Sequence, residues 1–440
     1  LAETSGKNAI IVTPHADLDL AARDVVQSAF GHAGQKCSAA SLVVLVGSVA
    51  DSRRFNNQLI DAVKSLKVGY PWNPESQMGP LIGEPGEKLK RGLTTLGAGE
   101  RWAIEPKQLD DSGKLYSPGV RYGVARGSEY HKTEYFGPIL GVMTADTLEE
   151  AVEIVNEVDY GLTSGLHSLD SAEMGYWLEN IQAGNIYANR GITGAIVQRQ
   201  PFGGWKKSAI GAGTKAGGPN YLVGMGSWTD APAKQGAALS AFDERLLNTA
   251  ELDSEQAQWL RSALASDKLW WNNEFNQAKD RSGLLAERNI LRYRPVDVTV
   301  RFEEATSGHG LAEALRVIAA GVTAGSRVLF SADVPLPLGV RNLLAENSVT
   351  VVREDAAAFA ARAAKLAAKT GPDSAARIRL IGGSVKAVAE ATNGKPDVAV
   401  YASPVTAAGR VEMLPFLHEQ AVSITAHRFG TPNHLSDELI

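Results

Sequence analysis

Two rhythms of apolar and polar positions alternate along the first half of the chain. Residues 9–12 are a short apolar run behind Gly6 and predict a strand. Asp17 is placed to cap a helix that carries Leu18, Ala21, Val25, Val26 and Ala29 on one face. Residues 41–46 and 184–189 predict further strands, and 55–66 an amphipathic helix. Thr147 and Glu150 form a capping-box pattern ahead of Ala151, Val152, Ile154 and Val155. Strands separated by helices predict an α/β fold with a mainly parallel sheet. Residues 203–226 are glycine-rich and predict loop, 231–237 a linker, and 240–280 helix. Trp259, Trp270 and Trp271 lie in that helical stretch and suit core packing. From Val296 a second alternation begins, with strands expected at 296–302, 327–331, 349–353, 378–381 and 397–401. Helices are expected at 310–320 and 356–368, which makes a Rossmann-like unit. Residues 410–440 do not continue the pattern.

Composition narrows the class. The 440 residues are 44% hydrophobic and 21% charged, enough for about three domains with real cores. A single cysteine excludes a disulfide framework. No apolar run reaches the roughly 18 residues of a membrane helix. The net charge of −5 argues against a nucleic-acid partner. The eight histidines, His418 and His427 included, show no ligand spacing, so no metal is expected. The chain opens on Leu1, and Glu3, Lys7 and Asp17 interrupt any signal peptide. It is therefore expected to start inside a longer polypeptide.

Five places could carry chemistry. Cys37, in Gly34-Gln35-Lys36-Cys37-Ser38, stands before a strand in polar, glycine-containing surroundings. A lone cysteine is ordinarily a small buried hydrophobe. Here Lys36 and exposed backbone N–H groups could lower its pKa and make it a nucleophile. Glu3 is either a solvated charge or, paired with Cys37, the base that activates water to release a thioester. Glu134-Tyr135-Phe136-Gly137-Pro138 is either a turn after a strand or a ribose site, with a carboxylate for the diol and an aromatic ring beside it. Pro201-Phe202-Gly203-Gly204 is a tight turn. Gly382-Gly383-Ser384, after an expected strand, is either a phosphate loop or an ordinary turn.

Together these features resemble the aldehyde dehydrogenase superfamily. Residues 1–8, Leu-Ala-Glu-Thr-Ser-Gly-Lys-Asn, look like its glutamate motif and residues 34–37 like its cysteine motif. The spacing from Glu3 to Cys37 to Glu134 matches the family's. The Thr4-Ser5 variant and the runs 189–195, 201–205 and 215–221 resemble the branch that oxidises L-glutamate γ-semialdehyde. Residues 414–420 and 423–430 look like the closing motif of the proline utilization A family, bifunctional enzymes that join a flavin-dependent proline dehydrogenase to this activity.

The resemblance implies four segments: an aldehyde dehydrogenase catalytic domain at 1–222, a linker and helical segment at 223–289, an inactive aldehyde-dehydrogenase-like α/β domain at 290–408, and a closing motif at 409–440. It implies Cys37 as nucleophile and Glu3 as base, with Glu134 and Phe136 at the nicotinamide ribose. It implies Ser38, Gly194, Ala195 and Phe202 at the substrate. The oxyanion would meet the Cys37 backbone N–H and an asparagine upstream of Leu1. NAD is the implied cofactor, and FAD belongs only to the proline dehydrogenase part upstream. The implied partners are a small-molecule substrate, further copies of the chain, and upstream proline dehydrogenase and NAD-binding domains of the same polypeptide. The expected location is cytoplasmic, with membrane association through the intact parent as an alternative. Two other readings stay open: a folding and oligomerisation fragment inactive when isolated, and an aldehyde dehydrogenase for another substrate.

Overall fold

The structure, a computed structural model, describes residues 2–211, 213–230, 236–303 and 310–440. Residues 231–235 of the expected linker lie outside the described residues. The chain divides into two compact α/β units. One comprises 3–208, 280–291 and 421–440; the other comprises Ala2, 209–279 and 292–420. The segment expected as a closing motif contributes 421–440 to the first and its earlier part to the second.

The first unit is built on seven strands of its N-terminal segment: β1 (Asn8–Val12), β2 (Ala40–Val46), β3 (Arg101–Ile104), β4 (Gly119–Tyr122), β5 (Ile139–Ala145), β6 (Thr163–His167) and β7 (Asn185–Ala188). Their spatial order is β7-β6-β1-β2-β5-β4-β3. All neighbours pair in parallel except β3 with β4. Every residue of β1 is buried. That suits a central parallel strand covered on both faces, and it is why the run reads as continuously apolar. Beyond β7 the sheet continues with residues 421–424, parallel to 185–188, and then with the strand that carries Asn289.

Three helices show how local sequence sets their ends. Asp17 accepts the Leu20 N–H at 3.3 Å and starts α1 (Leu18–Phe30). Ser52 accepts the Phe55 N–H and starts α2 (Arg53–Lys64), whose buried Phe55, Leu59 and Val63 are spaced four apart. Thr147 caps α3 (Leu148–Asn156) by accepting the Glu150 N–H. The expected box is displaced by one residue, since the Glu150 carboxylate accepts from Asp146 N–H at 2.7 Å rather than from Thr147.

In the second unit the helical stretch divides into α4 (Ala241–Thr249) and α5 (Ser254–Trp270), each opened by a capping box. The three tryptophans are half-buried rather than core, contrary to expectation. The Trp259 ring N–H needs a polar partner and donates to Asp230 at 2.8 Å, while Trp270 lies under the Arg410 guanidinium. Five parallel strands follow: β8 (Val298–Phe302), β9 (Val328–Ala332), β10 (Val349–Arg353), β11 (Ala376–Ile381) and β12 (Val398–Tyr401). Their order β10-β9-β8-β11-β12 is that of a doubly wound sheet. Between β8 and β9 lies α6 (Leu311–Thr323), buried from Ala312 to Gly321. Gly382 and Gly383 follow β11 with φ of 69° and 73°. A Cβ on Gly383 would fall 2.9 Å from the Glu303 carboxylate carbon. A carboxylate against the turn opposes an anion there, and the helix that follows, Val385–Ala391, is only seven residues long. The turn reading holds.

Among the described residues, no helix is long and apolar enough to cross a membrane. Nor does any group of three or more His, Cys, Asp and Glu residues there suit a metal ion.

Candidate active site

The segment after α1 turns with the wrong hand for ordinary residues. His32, Ala33 and Gly34 all have positive φ, at 56°, 53° and 67°. Left-handed conformations cost non-glycine residues free energy and persist only where the surroundings enforce them. Gly34 is obligatory twice over, because a Cβ there would fall 2.1 Å from the carbonyl oxygen of Gly137. The turn delivers Gln35-Lys36-Cys37 to the head of β2, and Cys37 is exposed.

Asn8, the first residue of β1, fixes this loop. Its Nδ2 donates to the Cys37 and Ala39 carbonyls at 2.7 and 3.0 Å, and its Oδ1 accepts from Thr163 N–H at 3.0 Å. Gln35 ties the loop to the Glu134–Phe136 segment. Its Nε2 donates to the Phe136 carbonyl at 3.2 Å, and its Oε1 accepts from Ile82 N–H at 2.9 Å. Phe136 is itself held at φ 60°. Glu134 follows the helical turn Glu129–Lys132 rather than a strand, and its Oε1 accepts from Gly6 N–H at 3.1 Å. A Cβ on Gly6 would meet the Cys37 carbonyl at 2.8 Å. The glutamate segment, the cysteine loop and the Glu134 turn therefore interlock through backbone contacts.

Glu3, Cys37, Glu134 and Phe136 line one open cleft of about 720 Å³, with Glu84, Glu87 and Lys88 among its other lining residues. Glu3 Oε2 accepts from Gly204 N–H at 2.8 Å. Ser38, Gly194, Ala195 and Phe202 are not among the lining residues. Ser38 is buried, and its carbonyl accepts from Thr163 Oγ1 at 3.3 Å. Gly194 and Ala195 are exposed on a loop in which Gly194 has φ 85°. Phe202 is half-buried in a turn that Asn185 pins from both sides, donating to Pro201 O and accepting from Gly203 N–H, each at 3.1 Å. The loop is held by Gln200, whose Oε1 accepts from Ile196 N–H and whose Nε2 reaches Asn289 and Ser423.

The thiol does not meet the electrostatics expected for it. Removal from water on its protein-facing side pushes the Cys37 pKa up, and the Glu3 and Glu134 carboxylates push it further. The Ser38 and Cys37 backbone N–H groups pull it down, but they do not win, and Lys36 does not offset the carboxylates. Reading a basic neighbour from sequence ignored two acids brought in from 34 residues or more away in sequence. Sequence reasoning also missed Asn8 and Gln35. A polar residue heading a buried apolar run was the available signal for Asn8.

Comparison with known proteins identifies a family. The aldehyde dehydrogenase family model matches residues 1–226. The 1-pyrroline-5-carboxylate dehydrogenases of Geobacillus sp. (strain WCH70) and Bacillus subtilis (strain 168) are 39% and 38% identical over 224 residues. Those 224 residues are 51% of this chain and 43% of each relative, so the chain spans under half the length of these relatives. The structure of proline utilization A from Corynebacterium freiburgense is 43% identical and superposes with a TM-score of 0.80, over 98% of this chain and 40% of that one. With the family model covering more than half of its residues, the chain belongs to the aldehyde dehydrogenase family.

Proposed function

We propose that this chain carries the catalytic part of an NAD-dependent L-glutamate γ-semialdehyde dehydrogenase, within a multidomain protein similar to proline utilization A. One observation supports it above the rest: a nucleophile, a base and a carboxylate–aromatic pair face a single cleft, although each comes from a different stretch of sequence.

The residues fit a nicotinamide nucleotide. Glu134 offers a carboxylate to a ribose diol, and Phe136 lines the cleft two residues on. When bound, the nicotinamide supplies the hydride acceptor. Cys37 Sγ, as thiolate, bonds to the aldehyde carbon. The Cys37 backbone N–H donates to the oxyanion in this reading, a contact whose loss in comparable sites costs about 10²–10³ in rate. Once that carbon is oxidised, Cys37 holds the acyl group as a thioester. Glu3 then takes a proton from water, the water oxygen bonds to the acyl carbon, and the C–S bond breaks to release glutamate and restore the thiolate. In this role Glu3 leaves its contact with the Gly204 N–H. The substrate carboxylate is assigned by likeness to the family alone to Ser38 and the N–H groups of Gly194 and Ala195, with Phe202 beside it, since none of the four lines the cleft. The second unit carries no catalytic residue in this reading and supports the fold or its assembly.

The test is NADH formation by the purified chain with glutamate semialdehyde and NAD⁺. Activity abolished by Cys37→Ala is the expected outcome in a protein that includes the cofactor domain. Activity retained in that variant overturns the reading. A preference for a neutral aldehyde would move the substrate assignment elsewhere in the family. Formation of NADH only when a cofactor domain is supplied would identify the isolated chain as a folding unit.

A further inference from the structure

Lys7 follows Gly6, whose N–H the Glu134 carboxylate accepts. Its side chain does not reach water, being only 3% exposed. Its Nζ lies 4.1 Å from the Tyr130 ring centroid and 5.9 Å from that of Tyr135. Among the described residues it has no hydrogen-bond partner. A buried ammonium without one is costly, so an untended lysine here calls for a reason. It lines a narrow pocket with Lys36, Tyr130, Glu134, Tyr135 and Phe136, directly beneath the turn assigned to the ribose.

We propose that Lys7 is a positioning residue whose ammonium, shut beneath the Glu134–Phe136 turn, holds the Glu134 carboxylate by charge attraction where it meets the nicotinamide ribose. The inference rests on the ribose assignment above. Glu134 shares its cleft with the Glu3 carboxylate, a like charge that repels it. A cation on its protein side offsets that repulsion. Other charges face Lys7 as well. Arg121 on β4 repels it, Glu100 (paired with Arg121 at 2.8 Å) attracts it, and the phenols of Tyr130 and Tyr135 are its walls. Burial first, and Arg121 second, push its pKa down to about 7. The charge is present below that pH and lost above it, so the grip on ribose weakens as pH rises through neutrality.

Dihydronicotinamide riboside is a suitable probe: its ring is neutral and fluorescent, it has one ribose, and it lacks a phosphate that would titrate. Its affinity for the full 440-residue chain is measured from about pH 6.5 to about pH 8.5. The expected loss across that range is about fivefold, the size of one partly buried charge interaction. Lys7→Met should bind weakly at every pH, and Lys7→Arg, which cannot lose its charge, should hold the tighter value throughout. Glu134→Gln separates the two claims. If wild type does not bind, or binding ignores Glu134→Gln, the ribose assignment fails and takes this inference with it. If Glu134→Gln weakens binding while Lys7→Met keeps the wild-type affinity and profile, only the role of Lys7 is overturned. Should Lys7→Met not fold, the wild-type profile decides, and a flat one overturns the proposal.

Discussion

The Cys37 thiol sits between two acids, and this governs its reactivity before any substrate arrives. Its pKa is raised, first by burial and then by Glu3 and Glu134, while the backbone N–H groups of residues 37 and 38 oppose the shift. Glu3→Gln removes one of the charges that disfavour the thiolate. The thiol pKa then falls, and more thiolate is present at any fixed pH below it. Alkylation by iodoacetamide at about pH 8 should quicken by about two- to threefold, the intrinsic loss of nucleophilicity being the smaller term. An unchanged or slower rate would show that Glu3 does not act on the thiol at all. That Glu3, Cys37, Glu134 and Phe136 share one cleft agrees with their motif spacing, whereas Ser38, Gly194, Ala195 and Phe202 do not line it. The electrostatics of the site were not legible in the sequence, because Lys36 is adjacent to Cys37 in sequence while the groups that dominate are adjacent only in space. Lys7 was legible as a motif position, but its burial under Tyr130 depends on where β4 and the Glu129–Lys132 turn bring Arg121 and the tyrosines.

Elements hold the site mainly through backbone approach. The cysteine loop meets the Glu134 turn where Gly34 faces Gly137, at a distance that leaves no space for a side-chain carbon. Gly34→Ala adds that carbon at φ 67° and against a carbonyl, so two costs combine. The expected destabilisation is about 2 kcal/mol or more in thermal or denaturant unfolding, with Cys37 displaced from Glu134. A variant with wild-type stability would mean that the turn adapts without strain. Most elements near the site were predictable, since β1, β2 and α1 have one-sided or fully apolar patterns. The strand Glu287–Pro295 was not, because Arg288, Arg292 and Arg294 break its pattern. Arg292 is buried all the same, donating from Nε to Gln420 at 2.8 Å. The strand Leu417–Thr425 was missed for a similar reason: Glu419, Gln420 and Ser423 are polar by sequence yet buried. Periodicity sees polarity and cannot see a partner that satisfies it.

At the scale of the whole molecule, chain order and spatial order part company. The chain crosses between its two compact units at 2, 208, 279, 291 and 420. The last twenty residues therefore return to the unit that holds Cys37. Within that unit residues 421–424 extend the parallel sheet beyond β7, and Ser423 anchors the loop that carries Gly194 and Ala195. Its Oγ accepts from Gln200 Nε2 at 3.0 Å and from Arg190 at 2.8 Å, and donates to Asn289 at 2.7 Å. Gln200 in turn accepts from Ile196 N–H, next to Gly194 and Ala195. Deleting residues 421–440 removes Ser423 and bares the edge of β7, but leaves Cys37, Glu3 and Glu134 intact. The loop from Gly194 to Gln200 should then loosen, and Arg199 within it should become a site of rapid tryptic cleavage that wild type resists. Ser423→Ala, which removes the hydroxyl and keeps the strand, should show a milder form of the same cleavage. The cleft should lose its grip on a substrate carboxylate before it loses the reactivity of the Cys37 thiol, so alkylation of Cys37 in the truncated chain serves as the internal control. If Arg199 remains resistant after the deletion, the tail does not hold the loop, and its buried polar groups serve the sheet alone.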